Sequence, residues 1–503
     1  MAFRHGVYTS EVPTSLISPV QGETGLPVIV GTAPIHLATD ENAMKNINKP
    51  QLVYSYQEAV SLFGFSRDWD SYTICEFIYS QFALYAVSPC VLINVLDPSK
   101  HKEKITAREY EIADGEVNIG ADVIISDSSF EAASLDVDDD FGDGDEPESK
   151  VIYKNGVDYS LGYDDNGDAI LSVLNGGALS GKSKVYLTFA KFKPEAVTSY
   201  DIIGGVDANT GDYSGFELVN NVFPKFRLIP GLLGSPKWSE KPEVAAVMRA
   251  KAENINGIFK GQAVVDIPCD SEGAKVYTEA PEWKNRNNYM AEHQIVCWPK
   301  IKLGDDVFHL STQLIGLMNS LDSSNDDVPY QSPSNSLLQM NACVNDAGKE
   351  INLGLEQANY LNGEGIVTSL NWIGGWRAWG NRTGAYPANT DVKDCMIPVR
   401  RMFDWISNDF IQMFWQKVDA PMTPRLIRTI VNSYNVRLNG LAAREFILGG
   451  RIEFLSAENA LTDLLDGSLC FHIYATPPSP AEEIKGILEI DPDYLNLLFS
   501  AVK

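Results

Sequence analysis

The feature that most limits what this chain can fold into is a change of hydrophobic period along its 503 residues. Short, fully apolar bursts at 28–30 and 91–95 flank a helical repeat at Tyr72, Cys75, Ile78, Tyr79, Phe82 and Tyr85. Buried parallel strands joined by a helix leave this trace. The alternation stops near residue 100 and resumes with an apolar burst at 226–233. A helix opened at Pro242 follows, with Val244, Val247, Met248, Ala252 and Ile255 on one face, then strands at 263–267 and 294–298. One α/β domain split by an insertion accounts for both halves with a single pattern.

The interrupting segment has another chemistry. Residues 101–170 hold 20 acids and 5 bases, a net of −15 out of −27 for the chain. The run 136–148 contains Asp136, Asp138, Asp139, Asp140, Asp143, Asp145, Glu146 and Glu148; with so little to bury, it is expected to be a solvated loop. Short alternating runs at 117–125, 153–161 and 185–189 surround it, separated by Gly, Asp and Asn, and predict an antiparallel β insert over 100–198. So acidic a chain is unsuited to wrapping nucleic acid or to an anionic membrane surface.

The last third differs again, since residues 376–503 carry 13 bases against 15 acids. Met402, Phe403, Ile406, Phe410, Met413 and Phe414 mark one amphipathic helix. After a linker at 418–422, Pro424 suits the first turn of a second, striped by Ile427, Ile430, Val431, Tyr434, Leu438 and Leu441. A strand at 452–455, a short helix at 457–465 and a strand at 469–474 complete an α+β domain.

Motifs of catalysis or metal binding are weak. GGALSGKS at 176–183 fits the phosphate-loop spacing with Gly176, Gly181, Lys182 and Ser183. The β-rich run that follows is wrong for a helix dipole aimed at phosphate, so a glycine-rich hairpin between 169–174 and 185–189 is expected instead. Asp136, Asp138 and Asp140 are spaced like the start of a calcium loop, but Phe141 occupies the position needing glycine. Asp164–Asp168 reads as a hairpin turn. The six histidines form no metal pair or serine triad, and the seven cysteines, scattered without a CxxC, read as buried reduced thiols. No cofactor or metal is expected. No signal-like apolar segment opens the chain and no apolar run is long enough to span a bilayer, so the protein is expected to be cytosolic when made.

The two ends are more informative. Residues 6–12 (GVYTSEV), with Gly6, Val7, Tyr8 and Val12, form a strand-like run cut off from the first core strand by Pro13, Pro19, Gly22, Gly25 and Pro27. Ile484, Ile487, Leu488 and Ile490 form another behind the proline-rich 476–480. A strand without an adjacent partner must pair its backbone elsewhere. It can do so within its own subunit or by addition to the sheet of a neighbour.

NWIGGWRAWGNRT at 371–383 then makes a family visible. It resembles the signature that opens the C-terminal domain of contractile tail sheath proteins, here Trp379, Gly380, Asn381 and Arg382. The resemblance continues through Val399, Arg400 and Arg401, through residues 438–441, Asn459, Asp463 and Gly467, and into Pro480, Ala481 and Glu482. Upstream it takes in residues 6–12, Phe63, Gly64, YDIIGG at 200–205, the 229–231 turn, Asp266 and Pro268; the acidic insert is least covered.

The resemblance implies a mechanical subunit of the virion tail, assembled in the host cytoplasm. Such subunits form hexameric rings stacked helically around an inner tail tube, lend terminal arms to neighbouring C-terminal sheets, and meet baseplate and tail terminator proteins. It also implies a subtilisin-like fold for the split α/β domain, without the serine motif and hence without protease chemistry. The expected layout is an arm at 1–22, the split domain at 23–99 and 199–375, the insert at 100–198, a C-terminal α+β domain at 376–483 and an arm at 484–503. Arg425, Arg428, Arg437 and Arg444 on the second C-terminal helix are tube-facing candidates. The rival expectations are a nucleotide-dependent or hydrolytic enzyme on an α/β scaffold and a static virion surface protein.

Overall fold

The computed structural model describes residues 20–21, 25–40, 42–135 and 150–500. Gly6, Val7, Tyr8, Val12 and the acidic run 136–148 lie outside the described residues. The fold is mixed α/β with several hydrophobic cores.

Its centre is an eight-stranded sheet ordered Gly375–Trp379, Ile366–Trp372, Gln294–Cys297, Gln262–Asp266, Leu232–Gly234, Pro27–Gly31, Cys90–Asn94 and Gln51–Val53. The six inner strands are parallel and the two outer ones antiparallel. Pro27–Gly31, Cys90–Asn94 and Gln262–Asp266 are buried along their whole length, because helices cover such a sheet on both faces. Thr73–Ile78, Pro242–Glu253 and Leu310–Ser324 pack against it. Leu233 pairs with Val28, and Val28 with Val91, so chain from before and after the acidic segment meets in one ladder. The helical repeat from Tyr72 onward is Thr73–Ile78 continued by a π-helical turn, Tyr79–Leu84.

Between Lys102 and Phe192 the chain builds two antiparallel sheets. One orders Tyr159–Tyr163, Ala169–Val173 and Glu116–Gly120; the other orders Lys102–Glu111, Lys184–Phe192, Glu131–Leu135 and Lys150–Tyr153. Val117, Leu171, Val185, Leu187 and Phe189 form their shared core. The turn at Asp164 is a hairpin, its carboxylate accepting from the Asn166 and Asp168 N–H groups at 2.9 and 2.8 Å. The hairpin expected around Gly176–Ser183 is not formed. Ala169–Val173 and Lys184–Phe192 lie in different sheets, and the loop crosses between them, held by the Asp158 carboxylate on the Ala178 N–H at 2.7 Å. Lys182 is exposed and a strand follows it, so the geometry a phosphate loop needs is absent there.

The C-terminal region packs Ile397–Phe414 against Pro424–Ala443 through Met402, Ile406, Ile430, Tyr434, Leu438 and Leu441. Thr423 caps the second helix on the Leu426 N–H, with Pro424 in its first turn. Two antiparallel strands follow, Gly449–Glu453 and His472–Thr476, each about three residues from its expected place. The expected helix over 457–465 is a 3-10 turn, Ser456–Glu458, and a short helix, Leu461–Leu465. Buried Asn459 separates them, its amide donating to the Leu455 and Cys470 carbonyls. Six of the seven cysteines are buried, but Cys470 is exposed, which corrects the expectation for that residue.

Candidate assembly interface

Several buried ionisable groups of the α/β region are held by hydrogen bonds and ion pairs within it. Asp266, fully buried, accepts from the Ser239 and Ser311 hydroxyls and from the Ser311 N–H. His309 lies close enough to act on its charge; its Nδ1 is 2.8 Å from the Glu76 carboxylate and its Nε2 is 3.4 Å from Glu240. Burial alone would lower the His309 pKa, but Glu76 and Glu240 raise it to about 10, so it is an imidazolium within a charge-balanced core. His36 is the opposite case, ringed by Tyr72, Tyr163 and Phe192 and lowered to about 3 by burial. Among the described residues no group of His, Cys, Asp and Glu side chains could hold a metal ion, and no helix is long and apolar enough to cross a membrane.

Trp379, Gly380, Asn381 and Arg382 sit at the seam between the central sheet and the C-terminal region. Trp379 ends the outer strand. Gly380 has φ +146°, and a Cβ there would stand 3.0 Å from Val367 Cα, so only glycine lets the chain leave the sheet so tightly. Asn381 accepts from the Ser332 hydroxyl, and its carbonyl takes the Ile397 N–H that opens the long helix. Arg382 stacks 4.6 Å above the Tyr386 ring and reaches Glu482 at 2.6 Å. The signature thereby holds the root of the last 20 residues.

Beyond that clasp residues 483–490 are exposed throughout. Ile484, Ile487, Leu488 and Ile490 are 85–99% exposed. Burying four such side chains is worth roughly 6–12 kcal/mol in gross terms, a strong demand for a partner surface. The two-stranded sheet offers one. Its Gly449–Glu453 side is closed by Asn435, whose amide bonds the Ile452 N–H and C=O at 3.1 and 3.2 Å. Ladder bonds alternate along antiparallel strands, so Ile473, opposite Ile452, and Ala475 turn their own N–H and C=O groups to the other side. That edge of His472–Thr476 has no ladder partner among the described residues.

The four arginines of the second helix are placed unequally. Arg437 pairs with Asp409 at 2.9 Å and Arg444 with Asp326 at 2.6 Å. Arg428 is exposed, bonds the Pro424 carbonyl and lines a shallow groove with Met422, Ile427, Phe454 and Leu464. Arg425 is exposed without an ion pair among the described residues.

The resemblance marked Arg400 and Arg401 but gave them no partners. Arg401 forms a buried pair with Asp322 of the Leu310–Ser324 helix, and Arg400 bonds Asp404 and Asp394. Asp404 also accepts a hydrogen bond from the Gln262 amide at 2.6 Å and lies 3.4 Å from His293. These bonds fix the first C-terminal helix to the central sheet. Their separations of 79 and 142 residues leave no local signal in a single sequence.

These features define a class: a multidomain α/β chain with an exposed apolar segment at 484–490 and, among the described residues, a strand edge without a ladder partner. No family model matches the chain. It is 26% identical over 511 residues to the tail sheath protein of Burkholderia phage BcepMu, covering 98% of each. It is 24% identical to the tail sheath protein of Escherichia phage P2, over 61% of this chain and 74% of that one. Among solved structures, a chain of the anti-feeding prophage baseplate superposes with TM-score 0.57 at 14% identity, covering 98% and 100%. A chain of the contracted PVC sheath complex, an extracellular contractile injection system, gives 0.55 at 13%, covering 98% and 99%. The chain is a homologue of phage tail sheath proteins, and its fold is that found in contractile injection systems.

Proposed function

We propose that this chain is the subunit of a contractile tail sheath, polymerising as stacked hexameric rings around an inner tail tube and contracting to drive that tube through a target envelope. The observation that carries the reading is the exposed strand-like segment of Ile484, Ile487, Leu488 and Ile490, anchored by Arg382–Glu482 in a chain that also holds an open strand edge at His472–Thr476. One subunit's segment fits the edge of the next, and repetition of that contact builds a lattice. The N-terminal run of Gly6, Val7, Tyr8 and Val12 acts as a second arm.

Arms of this kind connect subunits without fixing their angle. Backbone ladders persist while domains slide, and the extended assembly is a metastable state released when a baseplate trigger lets one ring turn. The working divisions are arms at 1–22 and 484–503, a subtilisin-like domain split over 23–99 and 199–375, the insert at 100–198 and the assembly domain at 376–483. The subunit acts in the virion tail after assembly in the host cytoplasm, meets tube, baseplate and terminator proteins, inserts in no membrane, binds no nucleic acid and carries out no enzymatic reaction. Arg425 is the strongest tube-facing candidate, because Arg437 and Arg444 are paired within the chain and Arg428 lines the groove.

Ending the chain after Pro480 is expected to leave a folded subunit that forms no rings or tubes in negative-stain microscopy. Normal polymers from that variant would refute the arm reading.

A further inference from the structure

The last residues contain two apolar units, and a strand edge can satisfy only one. After Ile484–Ile490, the 3-10 turn Pro492–Asn496 and the short helix Leu497–Ser500 carry Tyr494, Leu495, Leu497 and Leu498, each 58–70% exposed. Their periodicity is helical, so they cannot continue a ladder. Asp491 caps this unit on the Asp493 N–H at 3.0 Å, and Glu489, Asp491 and Asp493 make its near end acidic.

A receptor of matching chemistry lies at one end of the two-stranded sheet. Met422, Ile427, Phe454 and Leu464 line a groove with Arg428 at its rim. Leu461 and Leu465, one turn apart on the short helix beside it, are 80% and 87% exposed. Phe454 follows directly on Gly449–Glu453 and packs against Phe471, which precedes His472. The groove therefore lies at the Glu453/His472 end of the pair.

We propose that the C-terminal unit, residues 491–498, of one copy docks in the groove of a second copy, its tyrosine and leucines against Met422, Ile427, Phe454 and Leu464 and its acids against Arg428. The proposal rests on the strand-exchange reading and adds direction to it. A segment laid antiparallel on His472–Thr476 runs from the Thr476 end to the His472 end and delivers residue 491 beside Phe454. Seven residues at about 3.3 Å each span roughly 23 Å, longer than the five-residue edge, so the tail clears the ladder before it turns into the groove. The strand supplies backbone pairing that tolerates sliding; the tail supplies a side-chain lock that fixes register.

The test uses full-length chains carrying Cys470→Ser, which removes the exposed thiol. Leu464→Cys and Leu495→Cys are made in separate chains, mixed, allowed to polymerise and mildly oxidised. A disulfide-linked heterodimer is expected; it should be lost when Arg428→Glu is added to the Leu464→Cys chain and regained when Asp491→Lys and Asp493→Lys are added to the Leu495→Cys chain. Polymers without the 464–495 link overturn the proposal. So does a link formed only within one chain when both cysteines share it, since the occupant would then be the chain's own tail. The variant ended after Pro480 separates the two levels. If it fails to polymerise while the 464–495 link is missing, arm exchange stands and tail docking falls; if it polymerises normally, both fall.

Discussion

The central sheet and the C-terminal pair of strands are both β-structure, yet one is finished and the other is not. At one side of the central sheet, residues 335–338 run along Gly375–Trp379, with the Ala378 N–H on the Ser336 carbonyl and the Leu338 N–H on the Trp376 carbonyl at 2.9 and 3.1 Å. At its other side, Gln51–Val53 is only three residues long. Both are ways of blunting an edge against unwanted pairing. The pair Gly449–Glu453 and His472–Thr476 is closed by Asn435 on one side, and among the described residues its other side has no ladder partner. A two-stranded sheet is marginal alone, so on the proposed reading assembly falls to the C-terminal region and the α/β body carries it.

That contrast breaks if the two regions are not fastened together. Arg401 and Asp322 are buried on both sides of the seam. Arg401→Ala would strand a carboxylate where burial already pushes its pKa up, and is expected to cost about 3–5 kcal/mol, read as a loss of denaturant midpoint. Arg401→Met with Asp322→Leu should recover most of it. If the single variant unfolds like the parent, the seam is not fastened there.

A second test concerns the insert, which joins the α/β body through His36 and its aromatic neighbours. The folded pKa of His36, about 3, lies below its ordinary value of 6.5. Its neutral form is fully accommodated above pH 6.5; as pH falls from 6.5 toward 3 the unfolded chain takes up a proton the folded chain refuses. Stability should drop by about 1.4 kcal/mol per pH unit across that window. His36→Phe should flatten this slope while other acid-labile groups still titrate. An unchanged slope would mean that His36 is hydrated in solution.

How much of this could be read from the sequence follows the same division. Four of the six inner strands lie within one residue of their expected positions, among them 28–30 as Pro27–Gly31 and 91–95 as Cys90–Asn94, because strands buried on both faces are uninterrupted apolar runs; the burst at 226–233 only overlaps the start of Leu232–Gly234, and Ile366–Trp372 was not expected. The C-terminal strands were harder, since Phe454 and Phe471 are apolar for their stacking outside the ladder and drew the expected boundaries toward themselves. The loop at Gly176–Ser183 departs from the expected hairpin because both flanking strands are already paired on each side, Ala169–Val173 between Tyr159–Tyr163 and Glu116–Gly120, and Lys184–Phe192 between Lys102–Glu111 and Glu131–Leu135. Trp379 to Arg382 stood out by resemblance, but what Arg382 does depends on Glu482, 100 residues on, and the groove at Phe454 and Leu464 had no linear signature.

The smallest expected effect on folding gives a sharp distinction between body and assembly layer. Arg425 is exposed on a helix whose apolar stripe lies elsewhere, so Arg425→Glu should change stability by no more than about 0.5 kcal/mol. If this side of the helix faces an acidic tube, the same change converts attraction to repulsion at every subunit of every ring. Co-assembly with tubes should then weaken at low salt and differ less from the parent at high salt, where exposed charges are screened. Arg444→Glu, which breaks an exposed pair with Asp326 and a stack on the Phe446 ring, serves as the control for charge reversal at the other end of the helix. Equal loss in both variants would assign the effect to net charge; loss in Arg425→Glu only would place the tube against that end of the helix. No loss in either would remove the helix from the tube contact and leave strand exchange as the work of the C-terminal region.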